Sequence, residues 1–191
     1  MKKIYIITVI VLNFLFSNAF SQTYHLNVRA GAGYARFLTD MDYDGINKSG
    51  FNGSFRIMWQ PEHLLSLGLE TGYNTLYTYE QSEIESEFGT TSANASLNSI
   101  PVFLVLSMQI TDAIHFTGGF GPSFLKTSFE SFDLKTTSSQ SSTSYFLATD
   151  YEHYLSKNFS LGGELRWYYI HKIQDGTLSL NLTLGYRLFS W

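Results

Sequence analysis

Asp40, Asp42, Asp44 and Gly45 spell D-x-D-x-D-G, the opening of a loop that gathers oxygens around calcium. The helix-flanked version of that loop closes on a carboxylate at its twelfth position, which here is Phe51, so only half of the ligand set is present. A solvated acidic loop explains the same residues without a metal, and no cofactor is expected. His171, with the serines of a separate loop as possible partners, offers a second chemistry, attack on or transfer of an acyl chain. Its candidate serines hold no fixed spacing, and no catalytic residue is assigned. A third group is larger. Arg29, Arg56, Glu70, Asp150, Glu152, Glu164, Arg166 and Arg187 fall inside segments otherwise rich in apolar residues. Four positive and four negative side chains in such a setting form either a satisfied interior network or a gated water path. The network is the plainer reading, with Glu70 or Glu164 paired to one of the arginines.

The elements that carry these charges read as strands. Leu178, Leu180, Leu182, Leu184, Tyr186 and Leu188 alternate with Ser179, Asn181, Thr183, Gly185 and Arg187. This period of two belongs to a strand between unlike environments. The same pattern predicts eight strands: 23–38, 51–60, 65–79, 96–110, 114–126, 144–155, 159–170 and 177–190. Three connections are short, Pro61–Leu64, Thr111–Ala113 and Ser156–Asn158. Three are long and polar, Thr39–Gly50, Glu80–Ala95 and Thr127–Thr143, and His171–Gly176 ends in the turn pair Asp175-Gly176. The second long connection carries Glu80, Glu83, Glu85 and Glu87, and Thr136–Ser144 is nearly all Ser, Thr and Gln, the composition of a mobile loop.

Short turns on one rim and long loops on the other describe an eight-stranded antiparallel up-and-down transmembrane β-barrel. Within the strands these eight charges lie opposite the apolar parity, where glycines such as Gly31, Gly68, Gly119 and Gly162 also fall, while Arg36, Lys126 and His153 share the apolar parity near strand ends, where they can reach the interface. Small residues and paired charges suit the crowded bore of a barrel this narrow, and the apolar parity then faces lipid. A lipocalin-like cup reverses the faces, but it calls for a lysine-rich exterior that this chain lacks. In the fourth strand Pro101 has no N–H for a ladder, and Phe103 and Val105 make the inner face apolar too. Pro101 is expected near a rim or a bulge. His25, His63, His115 and His153 map to the short-turn end, away from His171.

Lys2 and Lys3, the apolar run Ile4–Phe16 and the small residues Ala19 and Ser21 predict a signal peptide over residues 1–21 and a barrel over 22–191. The segment carries two lysines and no acid, so its loss takes the formal charge from −4 to −6, which argues against nucleic acid as a partner. With no cysteine, neither a lipid-modified cysteine nor a disulfide is expected.

Over residues 22–191 the chain resembles the small Gram-negative outer-membrane barrels, the OmpA transmembrane domain and OmpX. Ser99-Ile100-Pro101-Val102-Phe103-Leu104 and Thr117-Gly118-Gly119-Phe120-Gly121-Pro122 are similar to the PorT-like outer-membrane barrels. Gly185, Leu188, Phe189 and Trp191 resemble the closing-strand signal read by the barrel assembly machinery, although Trp191 is out of phase with the leucines. The resemblance implies a monomer in the outer membrane, with periplasmic termini and extracellular long loops. It implies contact with outer-membrane lipid and lipopolysaccharide, and a structural, adhesive or interaction role. An extracellular protein, or a secretion system served by a PorT-like accessory barrel, would be the further partner. A lipid A-modifying enzyme and a secreted lipocalin-like binder are the remaining readings.

Overall fold

The computed structural model describes residues 24–39, 45–61, 64–86, 89–131 and 134–190, with the side chains of 81–92 left aside. The signal segment, Asp40, Asp42, Asp44, His63, Glu87 and Trp191 lie outside the described residues. The strands are β1 (His25–Phe37), β2 (Ile46–Asn47), β3 (Ser49–Gln60), β4 (Leu65–Ser86), β5 (Gly89–Gln109), β6 (Ile114–Ser131), β7 (Leu134–Tyr154), β8 (Phe159–Ile170) and β9 (Asp175–Ser190). Every pairing is antiparallel, and β1 bonds to both β3 and β9 while β4 bonds to β5. Eight strands therefore close on themselves, and the two-residue β2 adds to the upper part of β4. Closure removes the unpaired edge that hydrocarbon does not tolerate.

Period-two alternation sets the two faces. Along β9, Leu180 and Leu182 are 65% and 74% exposed, while Ser179, Asn181 and Thr183 between and beside them are buried. The apolar face of β9 runs over residues 178–188, in line with the roughly 9–11 residues a tilted strand needs to cross a bilayer. Aromatic pairs flank this band at both ends: Tyr24–Trp59 and Phe159–Tyr186 toward the short turns, and Tyr145 against Trp167 and Tyr169 toward the long hairpins. Such girdles mark the two lipid–water interfaces.

The strands extend beyond the sequence-based expectation at the hairpin ends. The expected loops Glu80–Ala95 and Thr127–Thr143 are mostly strand, as β4 and β5 pair up to Ser86↔Gly89 and β6 and β7 up to Ser131↔Leu134. Thr136–Ser144, expected to be mobile, is laddered to β6 throughout. Polar composition suggests a loop, but threonine favours extended backbone, and a strand already bonded on one side can lengthen without apolar burial. At the other hairpin, Asp175 and Gly176 belong to β9, and the left-handed residue of the turn is Gln174 (φ 58°).

Pro101 sits inside β5, where the β4–β5 pairing skips Gly72–Tyr73 opposite Ile100–Pro101. Thr71 Oγ1 donates to the Pro101 carbonyl at 2.9 Å across this gap. A bulge between Leu26 and Asn27 shifts the β1–β9 register past Leu188, so Phe189 pairs with Leu26 and is well exposed. The face of the closing strand thus switches before its end, which a strict count of two could not show.

Candidate functional site

Two regions could carry function, the bore and the sheet that extends past it. In the bore, the inner parity of β1, β3, β4, β7 and β8 brings seven of the eight strand charges together. Arg56 Nε donates to Glu70 at 2.6 Å and its second guanidinium nitrogen to Glu164 at 2.7 Å. Arg166 donates to both oxygens of Glu70, at 2.6 and 3.0 Å, and to Glu164 at 3.1 Å. Arg29 bonds Asp150 at 3.1 Å and also pairs with Glu152, and Arg56 lies 3.6 Å from Asp150. Neutral side chains fill the remaining valences: Thr117 donates to Asp150 at 2.6 Å, Asn181 to Glu164 at 3.0 Å, and Ser160 to Glu152. Arg187 stands apart from these carboxylates, its guanidinium 5.7 Å from the Tyr154 ring centre.

Aromatic rings close the bore above the charges. The Phe146 ring faces the Arg166 guanidinium, 4.2 Å from ring centre to guanidinium carbon, and packs on Phe103 at 5.1 Å. Phe103 meets Tyr168 edge-on at 5.8 Å, and the Tyr168 hydroxyl donates to Ser123 and bonds Ser99 at 2.8 and 2.7 Å. A Cβ at Gly119 would stand 2.2 Å from the Phe146 ring, so glycine there leaves the room this layer needs. Beyond it, Phe37, Leu76, Leu97, Leu125 and Ile170 form a buried apolar cluster. The sequence reading recognised Phe103 as an inner apolar residue but missed Phe146, whose inward parity was the available signal.

At the other end, β4 to β7 continue past the rest of the barrel as a four-stranded sheet. β8 stops pairing with β7 at Ser144↔Ile170, and the turn after it still reaches Thr143 and Ser142 through His171 and Lys172, so among the described residues Leu134–Ser141 has a strand neighbour on the β6 side alone. His171 N–H donates to the Thr143 carbonyl at 3.0 Å, which fixes the odd-numbered residues of β7 as those facing away from β6. Lys135, Thr137, Ser139 and Ser141 therefore present backbone N–H and C=O groups along an open edge. This edge lay hidden in the sequence because Thr127–Thr143 reads as a loop.

Of the histidines, His25, His115 and His153 lie at the short-turn end, and His171 sits in the turn between β8 and β9. His115 Nδ1 is 3.8 Å from Glu152. Among the described residues, no group of three or more His, Cys, Asp or Glu side chains is placed to hold a metal. Gly185 packs against Ser160, while Leu188 and Phe189 are exposed at the end of β9.

A sequence profile of the outer membrane protein beta-barrel domain matches residues 7–187. No curated relative matches the chain significantly. Among solved structures, Neisserial surface protein A superposes with a TM-score of 0.54 at 12% identity, over 88% of this chain and 100% of that one. Ail, the attachment invasion locus protein of Yersinia pestis, solved with the heparin analogue sucrose octasulfate, gives 0.52 at 18% identity over 88% and 100%. A major outer membrane protein from Thermus thermophilus gives 0.53 at 16% identity over 86% and 99%. These likenesses establish the fold.

Proposed function

Because the chain belongs to the outer membrane protein beta-barrel domain family, we propose that it serves as an interaction or adhesion protein of the outer membrane, displaying the β4–β7 sheet outside the cell. The observation that carries this reading is the open edge of β7 at Leu134–Ser141 among the described residues. An extended segment of another protein can add a strand there, drawing affinity from main-chain bonds. The packed bore speaks against solute passage as the main role, since charges and rings occupy its cross-section. The attachment protein Ail offers a parallel in kind, through its name alone.

A PorT-like accessory barrel of a secretion system is the second reading, supported by the two β5 and β6 segments. We do not read the protein as an enzyme or a lipocalin-like binder. Unaltered acyl chains of lipid A in deletion and overexpression strains are the expected result, and an altered pattern would overturn the first of these exclusions.

The edge can be blocked without breaking the sheet. Proline at Thr137 and Ser139 removes two N–H groups that point away from β6 and leaves the β6–β7 ladder intact. A strain carrying T137P/S139P should lose surface attachment while the barrel stays folded and secretion continues. Intact attachment with blocked export of specific proteins would favour the secretion reading instead.

A further inference from the structure

We propose that the open edge of β7 pairs with the same edge of a second copy of this chain, joining barrels that stand in two facing membranes. The proposal rests on the preceding assignment of that edge as the interaction surface, and it names the partner.

Every residue from Leu134 to Ser141 is exposed. Their ladder to β6 runs without a bulge from Ser131↔Leu134 to Ile114↔Tyr151, so the edge is regular. Proteins normally guard such edges with proline, bulges or charge. This stretch holds no proline and a single charge, Lys135, which already lies 3.8 Å from Glu130.

Hydrogen-bond directions fix the register of a self-pair. In an antiparallel ladder, residues that exchange main-chain bonds point their N–H and C=O groups at each other. On the open edge these are Lys135, Thr137, Ser139 and Ser141. The arrangement that uses all four in both copies pairs Lys135 with Ser141 of the second copy and Thr137 with its Ser139. Thr136 then meets Gln140, and Ser138 meets its own counterpart. Each of these side-chain pairs can share a hydrogen bond, which favours cross-strand pairing. A slip that set Lys135 opposite itself would place like charges together, at a cost. The ladder ends with Leu134 opposite Ser142, whose hydroxyl accepts the Lys172 N–H within its own chain. The self-pair therefore fills the open edge and stops where the barrel's own contacts resume.

Symmetry sets the number of copies and their orientation. The contact is isologous, centred on Ser138, so it closes on two chains and does not grow into a fibre. In a parallel ladder the bonded residues of one strand sit opposite non-bonded residues of the other. That one-residue offset is incompatible with two equivalent copies side by side in one membrane. Antiparallel β7 strands instead place the two barrels at opposite ends of one joined sheet. At about 3.3 Å per residue, the overlap holds the facing rims at most about 26 Å apart. One pair of this size is weak, and many pairs between two surfaces add up.

The chain has no cysteine, so disulfide trapping can read the register position by position. Ser138 and its counterpart form a non-hydrogen-bonded pair with Cα atoms about 4.5 Å apart, within disulfide reach. Two Thr136 residues stand about 13 Å apart along the ladder, beyond it. The full chain, refolded at one barrel per phosphatidylcholine nanodisc, keeps the partners in separate membranes. On mild oxidation Ser138→Cys should give disulfide-linked dimers that join two discs, and Thr136→Cys should not. Mixing Thr136→Cys with Gln140→Cys should restore the link, and adding T137P/S139P to Ser138→Cys should abolish it. Absence of the Ser138→Cys dimer, equal linking by Thr136→Cys alone, or a link that survives the prolines would each overturn the proposal. If no dimer forms but T137P/S139P cells still lose attachment, this proposal fails and the preceding reading stands with a different partner. A register-specific dimer with unaltered attachment would support the pairing and overturn the preceding reading.

Discussion

Glu70 joins Arg56 to Arg166, so removing its carboxylate leaves two buried guanidinium groups short of a partner. Breaking a buried pair in this way costs about 3–5 kcal/mol, whereas replacing the whole group by well-packed apolar side chains can be neutral. Glu70→Ala should therefore lower the urea unfolding midpoint of the refolded barrel substantially, and an unchanged midpoint would show the network to be dispensable. Arg187→Leu should cost much less, about 0.5–1 kcal/mol, because Arg187 lies over Tyr154 apart from the acid cluster. Parity alone located all eight charges, since an arginine turned into lipid at the midplane costs about 2–4 kcal/mol. It could not separate Arg187 from the other seven, because pairing depends on which strands meet across the bore. Nor could it reveal the contact of Phe146 with Arg166, which joins adjacent parts of the interior from different strands.

For β7, the open edge makes a distinctive hydrogen-exchange pattern. Thr136, Ser138 and Gln140 point their N–H groups toward β6, and Lys135, Thr137, Ser139 and Ser141 point theirs away. Exchange should alternate along this stretch, slow at the even positions and fast at the odd ones. Uniformly fast exchange would return it to the mobile loop that its composition suggests. The strands with strong alternation, β8 and β9, were readable because lipid and bore impose opposite demands on successive residues. Beyond the membrane that contrast disappears, and the ends of β4 to β7 are held by backbone ladders that leave little trace in side-chain composition. The bulge beside Leu188 was hidden for a related reason: it changes register without changing residue type.

At the scale of the whole molecule, an apolar belt surrounds a polar, ion-paired interior, and a polar wall rises from one end. Closure by β1 and β9 joins the two ends of the described chain, so the barrel should stay folded in unheated SDS and change its electrophoretic mobility on boiling. The absence of such a shift would argue against a closed sheet. The proposed role depends further on which way the wall points. The chain has no cysteine, so single introduced cysteines can report it without background. Thr137→Cys lies on the projecting edge and Asn158→Cys in a short turn at the opposite end. In intact cells a membrane-impermeant maleimide should label Thr137→Cys at once and Asn158→Cys only after the outer membrane is opened. The reverse pattern would place the wall in the periplasm and contradict the account of this protein as a surface interaction barrel.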